Sequence, residues 1–166
     1  QDTTQFGGTN TRLSLNTAAV NPTLTILSSY QTSSVGSAQT TAYTTISQEV
    51  DSYLFAVDYL SCQSQSNLNT QQSRPQAWAK NIVSVGGIDH KNTLTKADDT
   101  SSGASFGPAA DGRHKPDLAH SYLNVFTTGD VITTPTNTFY AEFSGTSSAT
   151  PITAGHFGLL LQMWHS

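Results

Sequence analysis

Within residues 24–87 the apolar period switches from extended to helical and back, and this restricts the fold more than any other feature of the sequence. Residues 24–30 are an apolar run suited to a buried strand. Ile46, Val50, Tyr53, Leu54 and Val57 then recur at helical spacing, with Glu49 and Asp51 towards the start, where acidic side chains favour the helix dipole. Extended runs return at 59–62 and, most clearly, at 81–87, where Gly86 and Gly87 should stop the strand. Such strand–helix–strand alternation predicts an α/β fold, a parallel sheet flanked by helices. The 166 residues allow one domain with one core and are too few for two.

The remaining segments are less patterned. Residues 12–20 are weakly helical and end at Asn21-Pro22, because proline biases its predecessor out of the helical region. Residues 31–42, 63–74 and 95–113 suit polar loops, 122–127 a short strand, and the Thr- and Pro-rich 131–138 an exposed hairpin or loop. Ile152, Leu159, Leu160 and Met163 predict a helix over 147–164. Trp78 and Trp164 are expected to be packing residues.

Composition narrows the function. With 36% hydrophobic and 11% charged residues, the balance is largely Ser, Thr, Asn and Gln, which is not the signature of disorder. It suits the polar surface of a secreted or extracellular protein. The net charge is -4 and the seven basic residues are scattered, so no nucleic-acid partner is expected. No apolar run approaches the roughly 18 residues of a membrane span, so no membrane partner is expected either. The N-terminus lacks a basic and then apolar leader, as a processed or truncated chain would. The lone Cys62, in an extended apolar segment, is expected to be a buried inert thiol, and no Cys/His spacing suggests zinc.

The chemistry concentrates in Phe143-Ser144-Gly145-Thr146-Ser147-Ser148-Ala149-Thr150-Pro151, which runs straight into the last helix. A serine at a helix N-terminus sits near unpaired backbone N–H groups and the positive end of the dipole. Both would stabilise an oxyanion on an attacked carbonyl, and Gly145 permits close backbone approach. An ordinary Ser/Thr cap before a proline-containing helix fits the same residues.

Gly145-Thr146-Ser147-Ser148-Ala149-Thr150-Pro151, followed by Ala154-Gly155, resembles the serine signature of the subtilisin-like proteases, with Ser148 where that family usually has Met. Three upstream segments resemble the family in the correct order. They are Tyr43-Thr44-Thr45 with the 46–57 helix, residues 79–86, and Phe106-Gly107-Pro108 with the 111–117 run. The resemblance spans residues 43–155 and is strongest to the large alkaline members. It implies a serine endopeptidase acting on peptides or proteins, with Ser147 as nucleophile and Asn67 as a side-chain donor to the oxyanion. It places substrate along Ser29, Tyr30 and Gln31 and against Gly145 and Thr146. No cofactor is required. Structural calcium is common in the family, but the carboxylates of Asp89, Asp98 and Asp99 suit solvated loops better, since calcium needs about six to eight oxygen ligands.

The family's Asp-Ser/Thr-Gly and His-Gly-Thr-His segments, which hold the other two triad members, do not occur in residues 1–166. His90, His114, His120, His156 and His165 all fall in segments matching other family positions. The chain is therefore expected to be the C-terminal part of one catalytic domain, inactive alone, with an N-terminal fragment of the same domain as partner. Three substitutions depart from the family at binding positions: Ser66 for the glycine before Asn67, Gln31 for the glycine of the substrate strand, and Ala119-His120-Ser121 for Ala-Pro-Gly. They motivate an alternative, a pseudoprotease that binds peptides or a protein partner without cutting. A free-standing structural module would have to cover its exposed edge strand and apolar face in some other way.

Overall fold

The computed structural model describes residues 28–129 and 139–166. In chain order these form strand β1 (Tyr30–Ser33), helix α1 (Thr45–Val57), β2 (Leu60–Ser64), β3 (Val83–Asp89), β4 (Thr100–Ser101), β5 (Leu118–Ser121), β6 (Val125–Thr128), β7 (Tyr140–Phe143) and helix α2 (Thr146–His165). Strands β1, β2, β3 and β5 lie side by side and parallel. β4 pairs antiparallel with the last two residues of β3, and β6 and β7 make a separate antiparallel ribbon. The α/β architecture is the expected one, with a mixed rather than purely parallel sheet.

Helix α1 forms because Val50, Tyr53 and Leu54 share a face that packs on Tyr59, Ala79 and Ile82. Full burial of a side chain such as Leu54 stabilises by roughly 1.5–3 kcal/mol. The Thr44 N–H donates to Ser47 Oγ, which itself donates to Pro75 O, fixing the helix start. Neither Glu49 nor Asp51 lies in the first turn, so the expected dipole contribution is not what they make. Asp51 is buried, and its carboxylate accepts from the N–H groups of Lys80 and Asn81 and from Tyr43 Oη. Helix α2 packs Ala149 and Ala154 on Cys62 and Val85, with Tyr30, Val83 and Phe157 around them.

Several strand boundaries differ from the sequence reading. Extended structure continues through Gln31, Thr32 and Ser33, expected in a loop, because their backbones pair with Ser61, Cys62 and Gln63. Residues 24–27 of the expected strand lie outside the described residues, as do 12–20 and, apart from its neighbours, 131–138. β3 runs on through Gly86 and Gly87 to Asp89. Glycine is there for close approach: a Cβ on Gly86 would lie 2.6 Å from Pro116 Cγ, and one on Gly87 would lie 2.7 Å from Ser102 Oγ. β5 was not expected, and the strand after it starts at Val125, beyond Asn124 at φ 51°. The loop at 95–113 holds a 3-10 turn at Lys96–Asp98 and the two residues of β4. Trp78 is fully buried and donates to Thr40 O, as expected of a packing residue, but Trp164 is 83% exposed.

Candidate active site

The site forms where the loop after β2 meets the start of α2. Gly145 caps the helix at φ 105°, a conformation open to glycine, and its N–H donates to Tyr122 O at 2.7 Å. Thr146 turns both its N–H and its hydroxyl on Asn67, donating to Oδ1 at 2.9 and 2.8 Å. With Oδ1 so engaged, Asn67 Nδ2 lies beside Gly145, 3.1 Å from where a Cβ there would stand. Among the described residues Nδ2 donates no hydrogen bond, and the N–H of Ser147 meets no acceptor. Orphan N–H groups are what a helix N-terminus offers an anion. Ser147 is half-buried and Asn67 exposed, so both can be reached from solvent.

Two further contacts hold the nucleophile turn. Ser148, the residue in the usual methionine position, donates from Oγ to Gly145 O at 2.8 Å and lies 3.4 Å from the carbonyls of Ser121 and Tyr122. Pro151 sits inside α2 and has no N–H to give the carbonyl four residues back, which is that of Ser147. Ser34 Oγ donates to that carbonyl at 3.4 Å, so the end of β1 takes up what the helix leaves open.

Ser66 adopts φ 112°, so the turn before Asn67 forms despite the missing glycine. A non-glycine residue held there costs of order 1–3 kcal/mol and persists only when its surroundings fix it. Ser66 N–H donates to Thr146 Oγ1 at 3.4 Å, its carbonyl accepts from Ser105 N at 2.8 Å, and its hydroxyl accepts from Gln39 Nε2 at 3.2 Å.

The structure brings Asn67, Gly145, Thr146 and Ser147 together but leaves Ser29, Tyr30 and Gln31 elsewhere. Tyr30 lies under Gly158, where a Cβ would be 2.7 Å from its Oη. Gly158 is eleven residues from Ser147, about 16 Å along a helix. Ser29 lines an open groove with Phe55, Leu60 and Trp164, and Gln31 Oε1 is buried without a partner among the described residues. The other end of β1 approaches Ser147, through Ser34. Sequence reasoning passed over Ser34 and Gln39, although Ser34-Val35-Gly36 carries the Ser-x-Gly pattern with its glycine intact.

No histidine hydrogen-bonds to Ser147 among the described residues. His156 is nine residues beyond Ser147 on α2, about 14 Å along the axis, and stacks on His120 of β5 with ring centroids 5.3 Å apart. Burial lowers the His120 pKa, and the neighbouring His156, Lys96 and His90 lower it further. Its Nδ1 accepts the Ser121 N–H at 2.8 Å, which also favours the neutral ring. Cys62 is fully buried beneath α2, and burial pushes its thiol up to about 11, so it is inert as expected. Among the described residues no three Asp, Glu, His or Cys side chains converge on a point where a metal could sit. Asp89 is paired with Lys91, and Asp98 accepts from Thr93. No helix among the described residues is long and apolar enough to cross a membrane.

The chain that carries this site has known relatives. The subtilase family model matches residues 31–166, and the chain belongs to that family. It is 33% identical over 97 residues to the serine protease AprX of Bacillus subtilis (strain 168), across 51% of this chain and 21% of that protein. The fold resembles that of the prenylagaramide maturation protease PagA, with a TM-score of 0.58 at 17% identity over 80% of this chain and 44% of that one. It also resembles the S41 psychrophilic protease, with a TM-score of 0.52 at 22% identity over 75% and 40% of the two chains. The chain thus spans about a fifth of the curated relative and less than half of either solved structure.

Proposed function

We propose that this chain is the nucleophile-bearing part of a secreted serine endopeptidase, completed by an N-terminal part that supplies the histidine base and its aspartate. The observation that carries the reading is a pair of donors with no acceptor among the described residues, the Ser147 N–H at the start of α2 and Asn67 Nδ2 beside Gly145. Ser147 Oγ attacks the scissile carbonyl carbon while the partner's base takes its proton. The two donors hold the carbonyl oxygen as it becomes an oxyanion. Collapse expels the amine, which takes that proton, and water then hydrolyses the acyl-enzyme and restores the hydroxyl. Ser34, Val35 and Gly36, at the site end of β1, take the substrate-flanking role in place of Ser29, Tyr30 and Gln31. No cofactor enters any step.

The partner's docking surface is argued from what the chain leaves open. Leu159, Leu160, Met163 and Trp164 of α2 are 56–83% exposed. Such a face is normally covered. The test is a fluorophosphonate probe on the native material, read by intact mass. A label on Ser147 together with a companion fragment supports the reading, and an unlabelled chain beside a companion overturns it. The second reading, a pseudoprotease that holds peptides without cutting, is favoured by one observation: Ser66 at positive φ strains the turn that carries Asn67. Peptide binding without labelling would support it.

A further inference from the structure

We propose that Gln39 is a positioning residue for Asn67, acting through the hydroxyl of Ser66. The catalytic consequence rests on the protease reading above, and the structural coupling does not. Of the three bonds that hold Ser66, two use its backbone: the N–H to Thr146 Oγ1 and the carbonyl from Ser105 N–H. Glycine would keep both. The third, from Gln39 Nε2 to Ser66 Oγ, exists only because residue 66 has a side chain. The residue that strains the turn thus also carries the handle by which it is held.

Gln39 is well placed to hold it. The next residue, Thr40, exchanges backbone hydrogen bonds with Ser73 at 2.8 and 3.0 Å, and Thr40 O accepts from the buried Trp78 ring at 2.7 Å. Ser73 Oγ in turn donates to the carbonyl of Gln65, the residue before Ser66. Gln39 and the turn are therefore fastened to the same rigid segment, one through backbone and one through side chain. Asn67 Oδ1 meets Thr146 while Nδ2 lies beside Gly145, and the orientation of the Ser66–Asn67 peptide sets both. Gln39 fixes that peptide where a glycine would take the required dihedral unaided.

The test is a double-mutant cycle in the complete protease that contains this chain, using Gln39→Ala, Ser66→Gly and the pair. On a peptide substrate, Gln39→Ala is expected to lower kcat between about tenfold and a hundredfold with KM little changed, the signature of misplacement rather than lost binding. Added to Ser66→Gly, it is expected to change kcat no further. Equal losses in both backgrounds, or no loss in either, would overturn the proposal. The second readout is the side-chain amide signal of Asn67 in asparagine-labelled protein by 15N NMR. Gln39→Ala should shift or broaden it with Ser66 present and leave it alone with glycine there. If the wild-type enzyme proves inactive, the protease reading falls while the NMR cycle still decides the coupling. Gln39→Met keeps nearly the same size but neither donates to nor strongly accepts from the Ser66 hydroxyl, and repeats the cycle should the alanine variant fold poorly.

Discussion

The two halves of α2 share one backbone and little else. From Thr146 to Ala154 the side chains of Thr146, Ser148, Ala149, Thr150, Thr153 and Ala154 are buried, and the first turn is bonded to β1, β5 and the Asn67 loop. Further along, Leu159, Leu160, Met163 and Trp164 face solvent. Small and hydroxylated residues pack the first half tightly, and threonines there return their hydroxyls to the carbonyls four residues back. Among the described residues, the half that carries the nucleophile is packed on the sheet, and the other half keeps large apolar side chains exposed.

The largest expected effect separates chemistry from packing in the half that carries the nucleophile. Ser147→Ala should abolish fluorophosphonate labelling of the completed protein and leave its stability within about 0.5 kcal/mol, since Ser147 Oγ bonds to nothing among the described residues. Residual label would place the chemistry elsewhere. Next comes Asn67. Asn67→Ala should slow labelling roughly a hundred- to a thousandfold, the effect of losing one oxyanion donor, and free the Thr146 N–H as well. Asn67→Asp keeps the acceptor for Thr146 and removes the donor, so it should lose rate but little stability. Parallel losses in rate and stability for Asp would mean that Asn67 is only a cap.

Packing offers a smaller contrast. Ala149 is fully buried, and Ala149→Leu should destabilise by about 1–3 kcal/mol through overpacking. Met163 is 74% exposed, and Met163→Ala should change stability by no more than about 0.5 kcal/mol. Chemical denaturation measures both, and the reverse order would break the distinction between the halves. The smallest effect lies at their junction, where His120 stacks on His156. Burial and nearby positive groups lower the folded pKa of His120 below its ordinary 6.5. The unfolded chain therefore binds the proton first, so stability is lost as the pH falls through about 6.5 towards the lower folded value. His120→Gln should flatten that part of a stability-against-pH curve.

Legibility in the sequence followed how local the cause was. Helix α1 is within a residue of its expected start because its apolar spacing and its packing face agree. The start of α2 was visible because a glycine, a run of small residues and a proline each leave a sequence mark. β5 was not, since Leu118, Ala119 and His120 lack alternation and owe their extended form to pairing with β3. The glycines of β3 misled because what they make room for, Pro116 and Ser102, is distant in sequence. At the site, Asn67 and Thr146 could be named from a motif, but their hydrogen bonds join residues 79 apart. Ser29-Tyr30-Gln31 and Ser34-Val35-Gly36 are serine-led triplets that start five residues apart, and only the fold shows that the second stands at the end of β1 that meets Ser147.

The order of the strands also sets a timetable. β1, β2, β3 and β5 lie next to one another in the order in which a ribosome makes them, and α2, which rests on all four, follows them. Its docking waits for the complete sheet, as domains growing from the N-terminus generally do. The loop with Asn67 is synthesised some eighty residues before its partner Thr146. Until Thr146 and Ser147 emerge, a nascent chain carries Asn67 without the helix start to which it bonds.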